Sequence, residues 1–481
     1  MIADPQPGPH WWDDAVVYQV YPRSFQDSDG DGVGDLPGIV SRLDHVASLG
    51  VDAIWLSPIY RSPLADLGYD VSDHIAVDPR LGTLEDLDRL IAEAHRRDLR
   101  VLLDLVAGHT SIEHRWFREH PDWYVWSEDG PANNWRAAFG GPAWSRDPKS
   151  GRWYLHSFYP EQPDLDWRNP QARRAMQEVV RFWLDRGVDG LRVDAVERLV
   201  KDATLRDDPP ARRAPPLPLH PEAATLDPVH SRNDPDVGIA LRALREAAGR
   251  RVLVGEVYLP SDSLATYLES LDLVFAFEVL HAPAEAGALR GAIEVAAGIR
   301  GIAWVLSNHD FPRLATRFGP RHAGAAAVLL LTLPGPAFVY QGDEIGMPDG
   351  PGGDPPRDRA GRDAHRHPMQ WTPDGGFTTG HPWLPMLDPE RSVAAQDDDP
   401  GSLLNLYRRL IALRRHLGPG LSFLDAPPGV LAYRRGRHAV LINLAADARP
   451  SPVDGEVVLS ADGTLADVGS GLPPGAGVVI E

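Results

Sequence analysis

Short β-branched and aromatic runs alternate along this chain with stretches whose apolar positions recur every three to four residues. Val16–Val20 reads as a first strand and Asp52–Leu56 as a second. Val101–Val106 is nearly all apolar, as a strand buried on both faces of a parallel sheet requires. Further strands are predicted at Val188–Val193, Val252–Gly255, Leu273–Phe277, Ile302–Ser307 and Ala337–Tyr340. A helix from Pro37 to Leu49 carries Ile39, Leu43 and Val46 on one face and stops at Gly50. Thr83 and Asp86 form a capping-box signature ahead of Leu87, Leu90, Ile91 and Ala94. Asn169-Pro170 opens another helix through Ala175, Val179, Trp183 and Leu184, ended by Gly187. Eight such strand–helix units predict an α/β fold, a (β/α)8 TIM barrel.

Two regions break the alternation. Residues 109–167 are rich in Trp, Pro, Gly and Asn and predict a small β-rich insertion after the third strand. From about Gly420, short alternating runs such as Val430–Tyr433 and Ala439–Ile442 predict an antiparallel β domain. The expected division is 1–108 and 168–419 for the barrel, 109–167 for the insertion and 420–481 for the terminal β domain. Asp207–Pro221 and Pro348–His367 read as long loops, and Ala323–Leu333 as a buried barrel helix.

Composition narrows the partners. The 481 residues carry a net charge of -20, which repels nucleic acid and anionic membranes and leaves neutral sugars unaffected. With no cysteine, disulfides, thiolate metal sites and cysteine nucleophiles are excluded. Met1–Asp14 lacks a basic segment followed by an apolar core, so no leader is expected. A cytoplasmic protein, monomeric or homodimeric, is the expectation.

Catalytic side chains of such barrels sit at the C-terminal ends of the strands. Here those ends carry Asp104 and His109, Arg192 and Asp194, Glu256, and His309 and Asp310. This set could bind a metal, but the histidines have no metal-ligand spacing. Acetal hydrolysis explains it better, since that reaction needs a proton donor and an anion opposing the developing oxocarbenium ion. Arg192, two residues before Asp194, points to the same face and is expected to hold Asp194 ionised by lowering its pKa. Glu256, between Asp194 and Asp310, is expected to be pushed up and act as the acid.

The segments Asp104-Leu-Val-Ala-Gly-His109, Gly190-Leu-Arg-Val-Asp194, Gly255-Glu-Val-Tyr258 and Ser307-Asn-His-Asp310 resemble those of the α-amylase family of glycoside hydrolases. Gln162–Trp167, Tyr340–Gly346, Pro368–Trp371 and Gly376–Gly380 resemble its oligo-1,6-glucosidase/α-glucosidase branch. The resemblance implies Asp194 as nucleophile, Glu256 as acid/base and Asp310 as a third carboxylate gripping the sugar. It implies that His109 and His309 bind hydroxyls of that sugar and that Tyr69 stacks beneath it. Asp66 and Arg362 are implied as the pair closing the pocket, with Arg366 the alternative to Arg362. The two catalytic carboxyl groups of a retaining enzyme lie about 5–5.5 Å apart. Phe158 is a further candidate sugar contact. The tryptophans Trp123, Trp126, Trp135, Trp144 and Trp153 are expected to fill the core of the insertion.

Asp27-Ser-Asp-Gly-Asp-Gly-Val-Gly-Asp35 is either a solvated acidic loop or an oxygen cage for a hard cation. Its position after the first strand is similar to a calcium loop of this branch. The resemblance implies a structural Ca2+ held by Asp27, Asp29, Asp31, Asp35 and the Val33 carbonyl. Gly108 stands where the family has Asn, which argues against a second calcium between barrel and insertion. Ala195 after the nucleophile leaves the acceptor side open and points to α-1,4 over α-1,6 linkages, and Glu197 adds an acid there. The expected activity is release of glucose from short α-glucosides. Glucosyl transfer or isomerisation of maltose- or sucrose-like disaccharides is the alternative, and an inactive barrel scaffold the distant one.

Overall fold

The computed structural model describes residues 10–212, 221–463, 465 and 467–481. The first nine residues, which the leader reading used, and residues 213–220 of the loop expected at 207–221 lie outside them.

Among the described residues eight parallel strands close a barrel in sequence order. They are β1 (Val16–Val20), β2 (Ala53–Leu56), β3 (Arg100–Leu105), β4 (Gly190–Val193), β5 (Val252–Gly255), β6 (Leu273–Phe275), β7 (Ile302–Val305) and β8 (Ala337–Tyr340). β8 pairs with β1, so the barrel has no free edge. Alternate residues point inward: Val17, Trp55, Leu102, Val254, Phe275, Val305 and Phe338 fill the interior. The intervening helices form as their sequences require. Asp35 caps helix Leu36–Ser48 through the Gly38 N–H, and the Thr83–Asp86 capping box is present in both halves.

Helix Ala323–Thr332 is buried at every residue but Gly324. It packs against helix Leu403–Arg414 and against the terminal sheet strands His438–Asn443 and Gly477–Ile480, in one buried cluster with the barrel residues Val16 and Val339. That double burial explains its lack of a polar face. Gly477 permits the contact, because a Cβ there would stand 2.8 Å from the Ala325 Cα. Among the described residues the terminal sheet is five-stranded and antiparallel, beginning at Ser422–Phe423.

The insertion carries a small antiparallel sheet of Trp126–Ser127, Trp144–Arg146 and Trp153–Leu155. Trp135 and Trp144 form its core with Trp153 packed on them, while Trp123 joins the main core with Trp126 against it. A buried ion pair, Lys201 Nζ to Asp164 Oδ2 at 2.8 Å, ties the loop after β4 to the insertion. No helix among the described residues is long and apolar enough to cross a membrane.

Candidate active site

The barrel register assembles the site. Asp104 on β3 lies beside Arg192 on β4, and Gly255 on β5 beside Val193. Asp194 and Glu256 therefore emerge one residue beyond paired neighbours, at the same rim. Arg192 rests over the Trp55 ring, 5.1 Å from its centroid, on top of the packed interior. From there its Nη1 donates to Asp104 Oδ1 at 2.7 Å and to Asp194 Oδ1 at 2.8 Å, and its Nη2 reaches Glu256 Oε1 at 2.6 Å. One guanidinium thus orients three buried carboxyl groups.

This sharing corrects the expectation for Asp194. Burial pushes its carboxyl up, to about 7, and Arg192 only partly opposes that because Asp104 draws on the same cation. Glu256 is pushed higher, to about 8, by burial and then by the Asp194 and Asp310 charges, against the pull of Arg192. The order is the one an acid beside a nucleophilic carboxylate needs. Asp310 goes the other way. Burial disfavours its charge, but the Nε2–H of His309, 3.1 Å from its Oδ2, and the Arg362 and Arg366 charges outweigh that and hold it far below the usual carboxylate range.

Backbone strain accompanies this arrangement. Ala195, directly after Asp194, sits in the left-handed region at φ 43°, which an L residue rarely adopts. Its N–H donates to Glu256 Oε2 at 3.1 Å, and the next N–H, of Val196, donates to the Glu256 carbonyl at 2.9 Å. The loop after β4 is thereby locked to the end of β5.

Burial pushes His309 down to about 3, so its ring is neutral. Its Nδ1 faces the Gln19 amide nitrogen at 2.8 Å, which makes Nδ1 the acceptor and Nε2 the proton-bearing nitrogen. Nε2 meets the Tyr69 hydroxyl at 2.6 Å, and the Tyr69 and His309 rings stack 5.6 Å apart. His109 Nε2 lies 3.0 Å from both the Tyr69 carbonyl and the Gln162 amide.

The inner end is closed by charge. Arg362 pairs with Asp66, reaches Asp310 Oδ1 at 2.9 Å and is chelated by Asp358 at 2.8 Å through Nε and Nη2. Gln162 holds the other Asp66 oxygen at 3.0 Å. Arg366 has a separate place, donating to the His309 carbonyl at 2.8 Å and to Asp310 at 3.0 Å. Asp66, Tyr69, His109, Phe158, Asp194, Glu256, Asp310 and Arg362 line one cavity of about 970 Å³. Arg192 and His309 lie buried behind that wall. None of the insertion tryptophans lines the cavity.

This carboxylate set belongs to a barrel that the family described as "Alpha amylase, catalytic domain" matches over residues 19–418. The chain belongs to the α-amylase family. As a member of this glycoside hydrolase family it is 41% identical to a probable α-glucosidase of Rhizobium meliloti (strain 1021) over 85% of the chain and 83% of that protein. It is 36% identical to an oligo-1,6-glucosidase of Halalkalibacterium halodurans over 88% of each. Among solved structures it is similar to the alpha-glucosyl transfer enzyme XgtA, with TM-score 0.89, 36% identity and coverage of 98% of this chain and 99% of that one.

Within this α-amylase-family chain, sequence reasoning missed Asp358, Gln19 and the double use of arginine in one loop. Asp358 lies four residues before Arg362 in a segment without periodic pattern, so only that spacing could have suggested the pair. Tyr258 was also passed over, although it lay in a quoted motif. Its hydroxyl donates to Glu256 Oε1 at 3.2 Å, and its ring stacks on Phe277 at 4.2 Å.

The loop after β1 brings oxygens of Asp27, Asp29 and Asp35 within 4.8 Å of one another. Asp31 stands apart from that group: it is exposed, and its Oδ1 takes the Val33 N–H at 2.7 Å. Gly32 presses against the Thr378–Pro382 segment, where a Cβ would lie 1.9 Å from the His381 carbonyl oxygen. The three converging carboxylates are hard oxygen donors with no cationic side chain paired to them among the described residues, a donor set that fits a calcium ion.

Proposed function

We propose that this protein is a retaining, exo-acting α-glucosidase that removes one glucose at a time from the non-reducing end of short α-glucosides. The observation that carries the reading is the placing of Asp194 and Glu256 on one Arg192 guanidinium, inside a pocket closed by Asp66 and Arg362. Carboxyl groups sharing one cation suit the close spacing of retention and not the wider gap, about 6.5–9.5 Å, of inversion. The closed inner end admits a chain terminus and excludes an internal residue.

In this reading Asp194 attacks the anomeric carbon while Glu256 gives its proton to the departing oxygen. Deprotonated Glu256 then takes a proton from water, which attacks the glucosyl–Asp194 ester and frees glucose and Asp194. Asp310, ionised throughout, and the Nε2–H of His309 fix the hydroxyls of the reacting sugar. The small side chain of Ala195 supports a preference for α-1,4 linkages. Asp194→Asn should lower kcat on p-nitrophenyl α-glucoside by about 10⁴-fold, and NMR of the wild-type reaction should show α-glucose released first. Activity surviving in Asp194→Asn, or β-glucose as the first product, overturns the assignment.

The likeness to an alpha-glucosyl transfer enzyme favours a second reading on the same intermediate, with a sugar hydroxyl replacing water. Disaccharide formation with little free glucose would establish it. Asp27, Asp29 and Asp35 are proposed to hold a structural calcium ion distant from the chemistry. Chelation should then lower Tm, by about 1 °C per kcal/mol lost in a chain of 481 residues, while an unchanged Tm would remove the ion.

A further inference from the structure

The acceptor half of the catalytic cavity is lined by Arg136, Arg198, Arg212 and Arg232. In a chain of net charge -20, this concentration of guanidinium groups runs against the average field. Among the described residues Arg136 and Arg212 make no ion pair and no side-chain hydrogen bond. Arg232 has one long contact, 3.4 Å to the Tyr258 carbonyl. Arg198 stands 3.8 Å from Glu197 and lies over the Phe158 ring at 5.5 Å.

The acids nearby offset these charges only loosely: Glu197 stands 3.8 Å from Arg198, and Glu197, Asp208 and Asp227 act on Arg232 from beyond ion-pair distance. Glu278 accepts the Ser261 N–H at 2.6 Å, and Glu197 Oε2 is buried without a hydrogen-bond partner. Asp227 lines the wall but forms no ion pair with Arg232 within the described residues. Burial and then Arg198 push the half-buried Arg232 guanidinium below its ordinary value, as crowding of like charges does. The donors therefore face the cavity with their fork geometry unused.

We infer that the group attached to the glucose, in the acceptor half of the cavity, is anionic and carries a phosphate or a carboxylate that these arginines recognise. A guanidinium fork matches both oxyanions in a two-pronged fashion. A neutral sugar would call for the mixture of donors and acceptors found at the inner end, where Asp66, Gln162 and His109 lie together. Arg198 and Arg232 lie beside Glu197 and Tyr258. Arg136 and Arg212 are exposed and form the outer mouth, so they attract the anion before it binds.

The inference rests on the α-glucosidase reading and narrows its substrate. It is tested by comparing kcat/KM for glucose release from maltose, maltobionate and maltose 1-phosphate at low ionic strength. At least one anion should exceed maltose by about tenfold or more, the scale of a charged hydrogen bond. Maltobionate and maltose 1-phosphate separate the carboxylate source from the phosphate source. The anion-to-maltose ratio, measured within each variant so that losses of folded enzyme cancel, should fall towards one in Arg232→Gln and in the exposed pair Arg136→Gln/Arg212→Gln. Equal or better use of maltose overturns the inference and leaves the α-glucosidase reading intact. An anion preference unchanged in both variants also overturns it. Failure to release glucose from any of the three, or from p-nitrophenyl α-glucoside, overturns the α-glucosidase reading instead.

Discussion

At the inner end of the catalytic cavity every arginine is engaged by carboxylates: Arg192 by Asp104, Asp194 and Glu256, Arg362 by Asp66, Asp310 and Asp358, Arg366 by Asp310. At the outer end Arg136, Arg212 and Arg232 have no such partner among the described residues. The same side chain thus does two jobs within one pocket. Inside, its charge is neutralised by the protein, and what the sugar meets is fixed geometry, in which preorganised groups need no rearrangement during reaction. Outside, the charge is available to a ligand, and geometry matters less than sign.

The comparison can be broken at its strongest point by Arg192→Lys. An ammonium cannot hold three carboxyl groups in a fork, and kcat should fall by about 10²–10³-fold. The pH profile separates this positioning role from mere loss of fold. In the wild type kcat/KM should rise through about 7, where Asp194 ionises, and fall above about 8, where Glu256 loses its proton. These limbs belong to the pair of groups as a whole. Because Arg192 opposes the rise at Asp194, the variant's acid limb should move to higher pH; an unmoved limb would show that Arg192 does not set the Asp194 charge.

A smaller effect tests the closed end. Asp358→Asn removes the carboxylate that chelates Arg362 and should raise KM for maltose about tenfold with less change in kcat. An equal fall in kcat would place Asp358 in the chemistry and not behind the substrate. Salt sharpens the contrast, since exposed charges at the mouth are screened and the buried inner pairs much less so.

The barrel was legible because its signals are local. The bounds of β1, β5 and β8 coincide with those read from the chain, and the Thr83–Asp86 box formed as its residues require. β4 is shorter than the run read at Val188–Val193 because pairing begins only at Gly190. The carboxylates at the strand ends that line the cavity were legible for a similar reason, standing just past apolar strands. What failed was arithmetic across strands. Reasoning from Arg192 and Asp194 alone assigned one cation to one carboxylate, whereas the register sets Asp104 directly beside Arg192. Asp358 and the separate places of Arg362 and Arg366 were hidden because their loop has no period and is positioned only by what it folds onto.

Helix Ala323–Thr332, apolar but for its last residue, has a consequence for how such a chain can be recombined. It shares one buried cluster with the barrel strands, and its other side is sealed by helix Leu403–Arg414 and by strands more than a hundred residues later in the sequence. Thr332 and Tyr433 share a hydrogen bond at 2.5 Å across that seam, about two helical turns from the Gly477–Ala325 contact. The terminal sheet is therefore a second wall of the barrel's own core and not a detachable module. A graft that replaced it with a sheet of different surface would leave a greasy rod facing water. Modularity in this protein ends where the sequence pattern first suggests that it begins.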